Sequence, residues 1–124
     1  MKKIVLDTNF LMVPFEQKVD IFSEFKRICD FTFEVVVLEG TLAELRKLQA
    51  KNRGKEKKLA TLALKLIEVK KIRIINGKST YVDEDLLSLT NVVIATNDRG
   101  LKRALKAKGT PVITLRSKKY LIFV

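Results

Sequence analysis

Short apolar runs alternate with longer amphipathic segments along the chain, and this alternation predicts most of its secondary structure. Runs rich in Val, Ile, Leu and Phe that are bounded by turn residues predict buried strands. The predicted strands cover residues 3–6, 33–38, 72–75, 92–96 and 111–115, and residues 120–124 are predicted as a further edge strand.

Helices are predicted where apolar residues recur every three or four positions. One helix follows Asp20, a suitable N-cap, and others are predicted over residues 41–49, 55–71, 83–91 and 99–107. The clearest of these is 55–71, whose apolar face consists of Leu59, Leu62, Ala63, Leu66 and Ile67.

Strands that alternate with helices predict right-handed βαβ crossovers. The expected fold class is therefore α/β, with helices on both faces of a central parallel sheet of about five strands. The turn residues Asn52, Arg53 and Gly54 interrupt the helical pattern, and Gly109 is a typical helix stop. The 124 residues match the size of one domain, so residues 1–124 are predicted to form a single domain.

Composition narrows the class of protein. A hydrophobic content of 47% argues against disorder, and no apolar run approaches the roughly 20 residues that span a bilayer. The first strand begins directly after Met1, so we expect no signal peptide. Cys29 is the only cysteine, which excludes a disulfide framework and predicts a cytoplasmic protein.

The absence of histidine excludes several kinds of site. Neither a Ser–His–Asp or Cys–His nucleophile nor a histidine-ligated zinc centre can be built. An enzyme with this composition would therefore rely mainly on carboxylates.

The net charge of +11 is unevenly distributed. Residues 1–44 contain eight acidic and five basic residues, whereas residues 45–124 contain six acidic and twenty basic residues. Residues 46–58 carry seven bases against Glu56 alone, and residues 99–108 carry five bases and no acid. A solvated lysine-rich surface explains the abundance of bases, but a phosphate-backbone partner also explains their segregation.

Four acidic positions occupy comparable places in the predicted topology, and two of them, Asp7 and Asp98, lie just past the end of a strand, at the edge where ligands bind in parallel sheets. They are Asp7 after the first strand, Glu44 after the second, Asp83 (with Glu84 and Asp85) before the fourth, and Asp98 after the fourth. Each acid alone could cap a helix or brace a turn. Together, if the first and fourth strands are neighbours, they predict a carboxylate cluster that Mg²⁺ or Mn²⁺ would neutralise.

The chain also resembles a known family. The segments IVLDTNFLMVPF, LAELRKL, STYVDEDLLSL and VVIATNDRGLKRALKAKGTPVITL are similar, in order and spacing, to the successive motifs of PIN-domain nucleases. The resemblance covers essentially the whole chain. It is strongest to single-domain archaeal PIN proteins and to the small-subunit processome nucleases that cut precursor ribosomal RNA.

The resemblance implies a three-layer α/β/α PIN-like fold. It also implies that Asp7, Glu44, Asp83 and Asp98 are catalytic, metal-binding acids for Mg²⁺ or Mn²⁺, with Asn9 and Thr96 as supporting polar groups. The third acid is open: alignment through Thr80 and Tyr81 favours Asp83, whereas alignment through the following leucines favours Glu84 or Asp85.

The predicted function is that of a metal-dependent endoribonuclease, acting in ribosomal RNA processing. The basic residues expected to contact RNA are Arg46, Lys47, Arg53, Arg99, Lys102 and Arg103. A toxin ribonuclease with an antitoxin partner and a catalytically silent RNA-binding PIN module are the alternatives. The resemblance allows a homodimer, and no membrane partner is expected.

Overall fold

The computed structural model describes residues 1–51, 53–79 and 81–124. Two residues used above, Asn52 in the predicted helix break and Thr80 in the alignment of the third acid, lie outside this description. The strands are β1 (Lys2–Leu6), β2 (Phe33–Leu38), β3 (Arg73–Ile75), β4 (Val92–Ala95), β5 (Val112–Arg116) and β6 (Tyr120–Phe123). The α-helices are α1 (Val13–Glu16), α2 (Ile21–Ile28), α3 (Glu39–Gln49), α4 (Lys55–Val69), α5 (Val82–Ser88) and α6 (Arg99–Lys108), and a 3₁₀ helix covers Asn9–Met12.

The six strands form one sheet in the order β3-β2-β1-β4-β5-β6. The first five are parallel, and β6 pairs antiparallel with β5. The predicted α/β fold with a parallel sheet is thus confirmed, including the further edge strand at the end of the chain. The chain moves outward from β1 in both directions, so the strand order reverses between β1 and β4, where ligands bind in such sheets.

Helices cover both faces of the sheet. On β1, Ile4 and Leu6 join one buried cluster with Phe10 and Phe25, while Val5 joins a second cluster on the opposite face. The second cluster also contains apolar residues of α5 and α6, among them Leu86, Leu101 and Leu105. A strand that is buried on both faces reads as a continuous apolar run, and this is why β1 was readily predicted.

Two helix boundaries follow the sequence signals. Asp20 accepts a hydrogen bond from the backbone N–H of Ser23 (3.2 Å) and caps α2. Gly109 ends α6 with a left-handed backbone (φ 88°), which glycine adopts without steric cost.

Most predicted bounds lie within two residues of the observed ones, and the largest difference is at the end of α5. The helix predicted over 83–91 begins at Val82 and ends at Ser88, because Leu89 is extended and Asn91 adopts a left-handed φ of 57° that turns the chain into β4. The helix predicted over 55–71 ends at Val69, followed by Lys71 with a φ of 52°. The 3₁₀ helix and α1 were not predicted, since Phe10 to Val13 are all buried and show no periodicity.

Among the helices of the described residues, none is both long enough and apolar enough to cross a membrane.

Candidate active site

A cavity of about 460 Å³ opens at the carboxyl edge of the sheet, where β1 and β4 lie side by side. Its walls bring together acids from five parts of the chain. It is lined by Asp7, Thr8, Asn9, Glu44, Lys47, Leu48, Glu56, Asp83 and Asp98. All four acids singled out in the sequence therefore share one cavity, which we call the acidic cavity.

Asp7 is the most buried acid of this cavity, with 6% of its surface exposed. It follows β1 directly, and its backbone N–H still pairs with the carbonyl of Ala95 at 3.0 Å. One carboxylate oxygen accepts the backbone N–H of Thr8 at 2.7 Å, and the other accepts the hydroxyl of the fully buried Thr96 at 2.8 Å. Its position is thus fixed by both neighbouring strands.

The environment of Asp7 raises the pKa of its carboxyl group. Burial is the main cause, because removal from water disfavours the charged form. The hydrogen bonds from Thr96 and Thr8 lower the pKa, whereas the nearby charges of Asp83 and Glu44 raise it further. The ionised form of Asp7 is therefore under electrostatic strain that a bound cation would relieve.

Glu44 reaches the cavity from α3 and is oriented by Thr8. The hydroxyl of Thr8 donates to a carboxylate oxygen of Glu44 and lies 3.5 Å from the hydroxyl of Thr41, which is fully buried in the same helix. Thr8 therefore contacts two of the acids at once, Asp7 through its backbone and Glu44 through its side chain.

Asp98 stands at the N-terminus of α6. One of its carboxylate oxygens accepts the backbone N–H of Leu101 at 2.7 Å, so it is the N-cap of the helix. Its own backbone N–H donates to the Thr96 hydroxyl at 3.1 Å. Since Thr96 also binds Asp7, it links the acids at the ends of the two central strands.

The structure separates the candidates for the third acid. Asp83 is exposed and lines the acidic cavity. Asp85 is buried (4% exposed), and one of its oxygens accepts the backbone N–H groups of Lys78 and Ser79 at 3.0 and 2.8 Å. Its carboxylate lies so close to Gly77 that a β-carbon there would not fit. Asp85 therefore anchors the loop before α5, which leaves Asp83 as the acid facing the cavity.

Glu84 does not line the acidic cavity, but it lines a second cavity together with Asp83. The close approach of α5 to α3 depends on Gly40, since a β-carbon at this position would lie 3.1 Å from a methyl group of Val82. The two helices thereby supply Glu44 and Asp83 to the same cavity.

The donor set of the acidic cavity fits a hard divalent cation. Carboxylates and hydroxyls are the oxygen ligands that Mg²⁺ and Mn²⁺ prefer. Asp7 uses two of the roughly four lone-pair directions of a carboxylate, and Asp98 uses one, so both retain acceptor capacity. As the side chains stand, no three acidic, cysteine or histidine side chains among the described residues are close enough to enclose one ion. Cation binding would therefore require the acids to turn inward.

The basic residues expected to contact RNA are dispersed. Lys47 lines the acidic cavity, whereas Arg46 lines a separate cavity between α3 and α4. Arg53, Arg99 and Arg103 are exposed.

Two lysines of α6 have contacts within the protein. Lys102 is half-buried and lies 3.4 Å from the hydroxyl of Thr114. Lys108 donates to the carbonyls of Leu87 and Leu89 and so stabilises the end of α5.

Thr8 and Glu56 also line the cavity, and neither was predicted from the sequence. Glu56 lies in the first turn of α4, and its carboxylate is 3.3 Å from the ammonium group of Lys51. It is the single acid of the basic segment 46–58, and this isolation was the available signal. No sequence pattern links Thr8 to Glu44, which is 36 positions away.

Comparison with known proteins agrees with the family resemblance seen in the sequence motifs. A family model described as "PIN like domain" matches residues 4–118. The chain is similar to ribonuclease VapC4 of Methanocaldococcus jannaschii, with 37% identity over 97% of this chain and 95% of the relative. It is 34% identical to ribonuclease VapC9 of Archaeoglobus fulgidus, over 93% of this chain and 84% of that protein.

A eukaryotic relative and a solved structure extend the comparison. The chain is 30% identical to the rRNA-processing protein FCF1 of Saccharomyces cerevisiae over 97% of its own length and 63% of the longer yeast protein. The structure of the PIN domain endonuclease Utp24 superimposes with a TM-score of 0.80, covering 98% of this chain and 90% of that one, at 21% sequence identity. At that identity the likeness concerns the fold alone.

Proposed function

Because this chain belongs to the PIN-like domain family, we propose that it is a metal-dependent endoribonuclease that hydrolyses RNA phosphodiester bonds. The observation that carries the proposal is the acidic cavity, in which Asp7, Glu44, Asp83 and Asp98 meet on a chain of net charge +11. A concentration of acids on a basic protein suits a site where a cation is held and a polyanion is cut.

In this proposal Mg²⁺ or Mn²⁺ is held by Asp7, Asp83, Asp98 and Glu44. When bound there, the cation would polarise the scissile phosphate and a water molecule and stabilise the charge that develops in attack. The protein's own contribution is to fix the acids: Thr96 holds Asp7, and the N-terminus of α6 holds Asp98.

Thr8 and Asn9 have supporting parts. The Thr8 hydroxyl orients Glu44, while its backbone N–H binds Asp7, so one residue sets the spacing of two ligands. Asn9 is exposed on the wall of the acidic cavity and is available to a phosphate or sugar hydroxyl.

Substrate phosphates would be attracted by Lys47 at the cavity wall and by the exposed Arg99 and Arg103 of α6, the helix capped by Asp98. These cations lie on the helices that supply Glu44 and Asp98, so an RNA strand bound to them passes the acids. Arg46, Arg53 and Lys102 are proposed as peripheral contacts.

Precursor ribosomal RNA is the substrate that we propose. Support comes from the relative named as an rRNA-processing protein, which this chain matches over 97% of its length. A toxin ribonuclease is the second candidate, favoured by the similarity to VapC4 over nearly the full length of both chains. Under that alternative an antitoxin is the partner. Under either, we propose a cytoplasmic protein, since Cys29 is a free thiol.

Isothermal titration calorimetry with Mn²⁺ tests the metal site. Asp7→Asn keeps the side-chain size and removes one charge, so it should weaken Mn²⁺ binding about tenfold or more. Asp30→Asn is the matched control, because Asp30 is an exposed acid outside the acidic cavity, before β2. Equal affinities of wild type and Asp7→Asn for Mn²⁺ would show that Asp7 is not a metal ligand.

Expression in a bacterial host distinguishes the two candidate functions. A toxin is expected to arrest growth in a manner that depends on Asp98, and coexpression of a cognate antitoxin should restore growth. An rRNA-processing enzyme is expected to cut precursor ribosomal RNA fragments in vitro at one or a few positions and to leave host growth unaffected.

A further inference from the structure

A second cavity, of about 520 Å³, adjoins the acidic cavity. Both are lined by Glu44, Lys47 and Asp83, so these three side chains form a shared wall. The other lining residues of the second cavity are Gly40, Ala43, Tyr81, Val82 and Glu84. A ligand longer than the acidic cavity therefore has the second cavity directly beside it.

Tyr81 is the feature of this second cavity that folding does not explain. Its surface is 67% exposed, so burial of the ring contributes little to stability. Yet its backbone is well fixed. The Tyr81 N–H donates to the hydroxyl oxygen of Ser79 at 3.0 Å, and its carbonyl accepts the N–H of Asp85 at 3.1 Å in the first turn of α5.

The loop that carries Tyr81 is itself anchored. The Asp85 carboxylate accepts hydrogen bonds from the backbone N–H groups of Lys78 and Ser79. The Ser79 hydroxyl in turn donates to the Tyr81 carbonyl and accepts from the Tyr81 N–H. Because these hydrogen bonds hold the Tyr81 backbone, a ligand that stacks on the exposed ring has only the side chain itself to order.

The chemistry beside Tyr81 points to one class of ligand. Lys47 in the shared wall offers a cation to a phosphate, while the aromatic side chain offers a flat face to a nucleobase. A base in a duplex is already stacked and paired, so only an unpaired nucleotide can present its face to Tyr81.

We propose that Tyr81 forms a stacking subsite for one unpaired nucleobase of the RNA, next to the acidic cavity. This inference rests on the proposed ribonuclease function and assigns a substrate-binding residue to it. Lys47 would hold a backbone phosphate between the stacked base and the acids, and Asp85 acts as a positioning residue through the loop that carries Tyr81.

The test measures binding separately from cleavage. A short single-stranded RNA carrying 2-aminopurine is titrated in EDTA and low salt, with affinity read by anisotropy and stacking by quenching of 2-aminopurine fluorescence. Tyr81→Ala should raise the Kd for this RNA about 5- to 150-fold and abolish the quenching, while binding of duplex RNA changes less than twofold. Tyr81→Phe should retain the quenching because it keeps the ring.

Tyr120→Ala is the control for loss of a tyrosine, since Tyr120 lies on β6 and lines neither cavity. A second set of titrations uses an RNA with one abasic position, moved along the strand. At the position that stacks on Tyr81, the abasic change should weaken binding to wild type but not to Tyr81→Ala.

Three results would overturn the subsite: a Kd for Tyr81→Ala within twofold of wild type, equal losses for single-stranded and duplex RNA, or no abasic position coupled to Tyr81. If quenching depends on Tyr81 but wild type never cuts RNA in Mg²⁺ or Mn²⁺, the stacking subsite stands and the ribonuclease function fails.

Discussion

The hydrogen bond between Thr96 and Asp7 offers a quantitative test of how the site is built. Thr96→Val removes the hydroxyl that donates to the Asp7 carboxylate at 2.8 Å and keeps the shape of a fully buried side chain. A hydrogen bond to a charged group contributes about 1.5–3 kcal/mol, against about 0.5–1.5 kcal/mol for a neutral one. Loss of the bond to Asp7 should therefore account for about 1.5–3 kcal/mol of the destabilisation in the wild-type background.

The same substitution should be less harmful when position 7 is neutral. In an Asp7→Asn background only a neutral hydrogen bond is lost, so the two backgrounds should differ by about 1 kcal/mol or more. Thr96→Val also removes the acceptor of the Asp98 backbone N–H (3.1 Å). This loss is common to both backgrounds, so it cancels when the effects of Thr96→Val in the two backgrounds are subtracted in a double-mutant cycle.

The assay is urea and thermal unfolding of the four proteins at pH 8 in EDTA. For a chain of this size about 1 kcal/mol corresponds to roughly 4 °C in Tm. Thr96→Ser, which keeps the hydroxyl and loses one buried methyl group, is the control and should cost about 0.8 kcal/mol with no dependence on position 7. Equal effects of Thr96→Val in the two backgrounds would refute the charge-assisted bond.

Three further predictions follow from the same geometry. Because burial raises the pKa of Asp7, the folded protein binds its proton more tightly than the unfolded chain. The contribution of Asp7 to stability is therefore greatest at low pH and declines as pH rises above about 4. The Asp7→Asn substitution should accordingly raise the Tm of the metal-free protein at neutral pH. Scanning calorimetry between pH 4 and 8 measures this change. The Asp85→Ala substitution removes two hydrogen bonds from backbone N–H groups, so it should lower the free energy of unfolding by about 2–4 kcal/mol. Urea titrations measure this loss, and the Asp83→Asn protein should unfold like wild type. Replacing Arg99 and Arg103 with Ser should reduce the slope of log affinity against log salt for single-stranded RNA by about 1.4, and an unchanged slope would place the RNA elsewhere.

The fold was largely predictable because its signals are local. The strand over Phe33–Leu38 has the bounds that its apolar run predicts, and Gly109 ends α6 as glycine usually does. Where a boundary was wrong, the cause was a single backbone conformation. The helix α5 was predicted to reach residue 91, but Asn91 adopts a left-handed φ, and nothing in the helical pattern signals this conformation.

The candidate site was predictable in part. The positions of Asp7 and Asp98 after strands implied that they would meet if β1 and β4 were neighbours, and the sheet order makes them so. The contact of Thr8 with Glu44 depends on how α3 packs, and the choice between Asp83 and Asp85 depends on which one the preceding loop uses as an acceptor. These are tertiary contacts, and periodicity carries no information on them.

The most direct test of the proposed function is single-turnover cleavage of an end-labelled single-stranded RNA in Mn²⁺, with wild type, Asp7→Asn and the exposed-acid control Asp30→Asn. Wild type and Asp30→Asn should cut at the same positions and rates, EDTA should stop both, and Asp7→Asn should be slower by about 100-fold or more. Thermal melts of each protein establish that it is folded. Cleavage by Asp7→Asn at the wild-type rate, or cleavage that persists in EDTA, would contradict a metal-dependent ribonuclease centred on the acidic cavity.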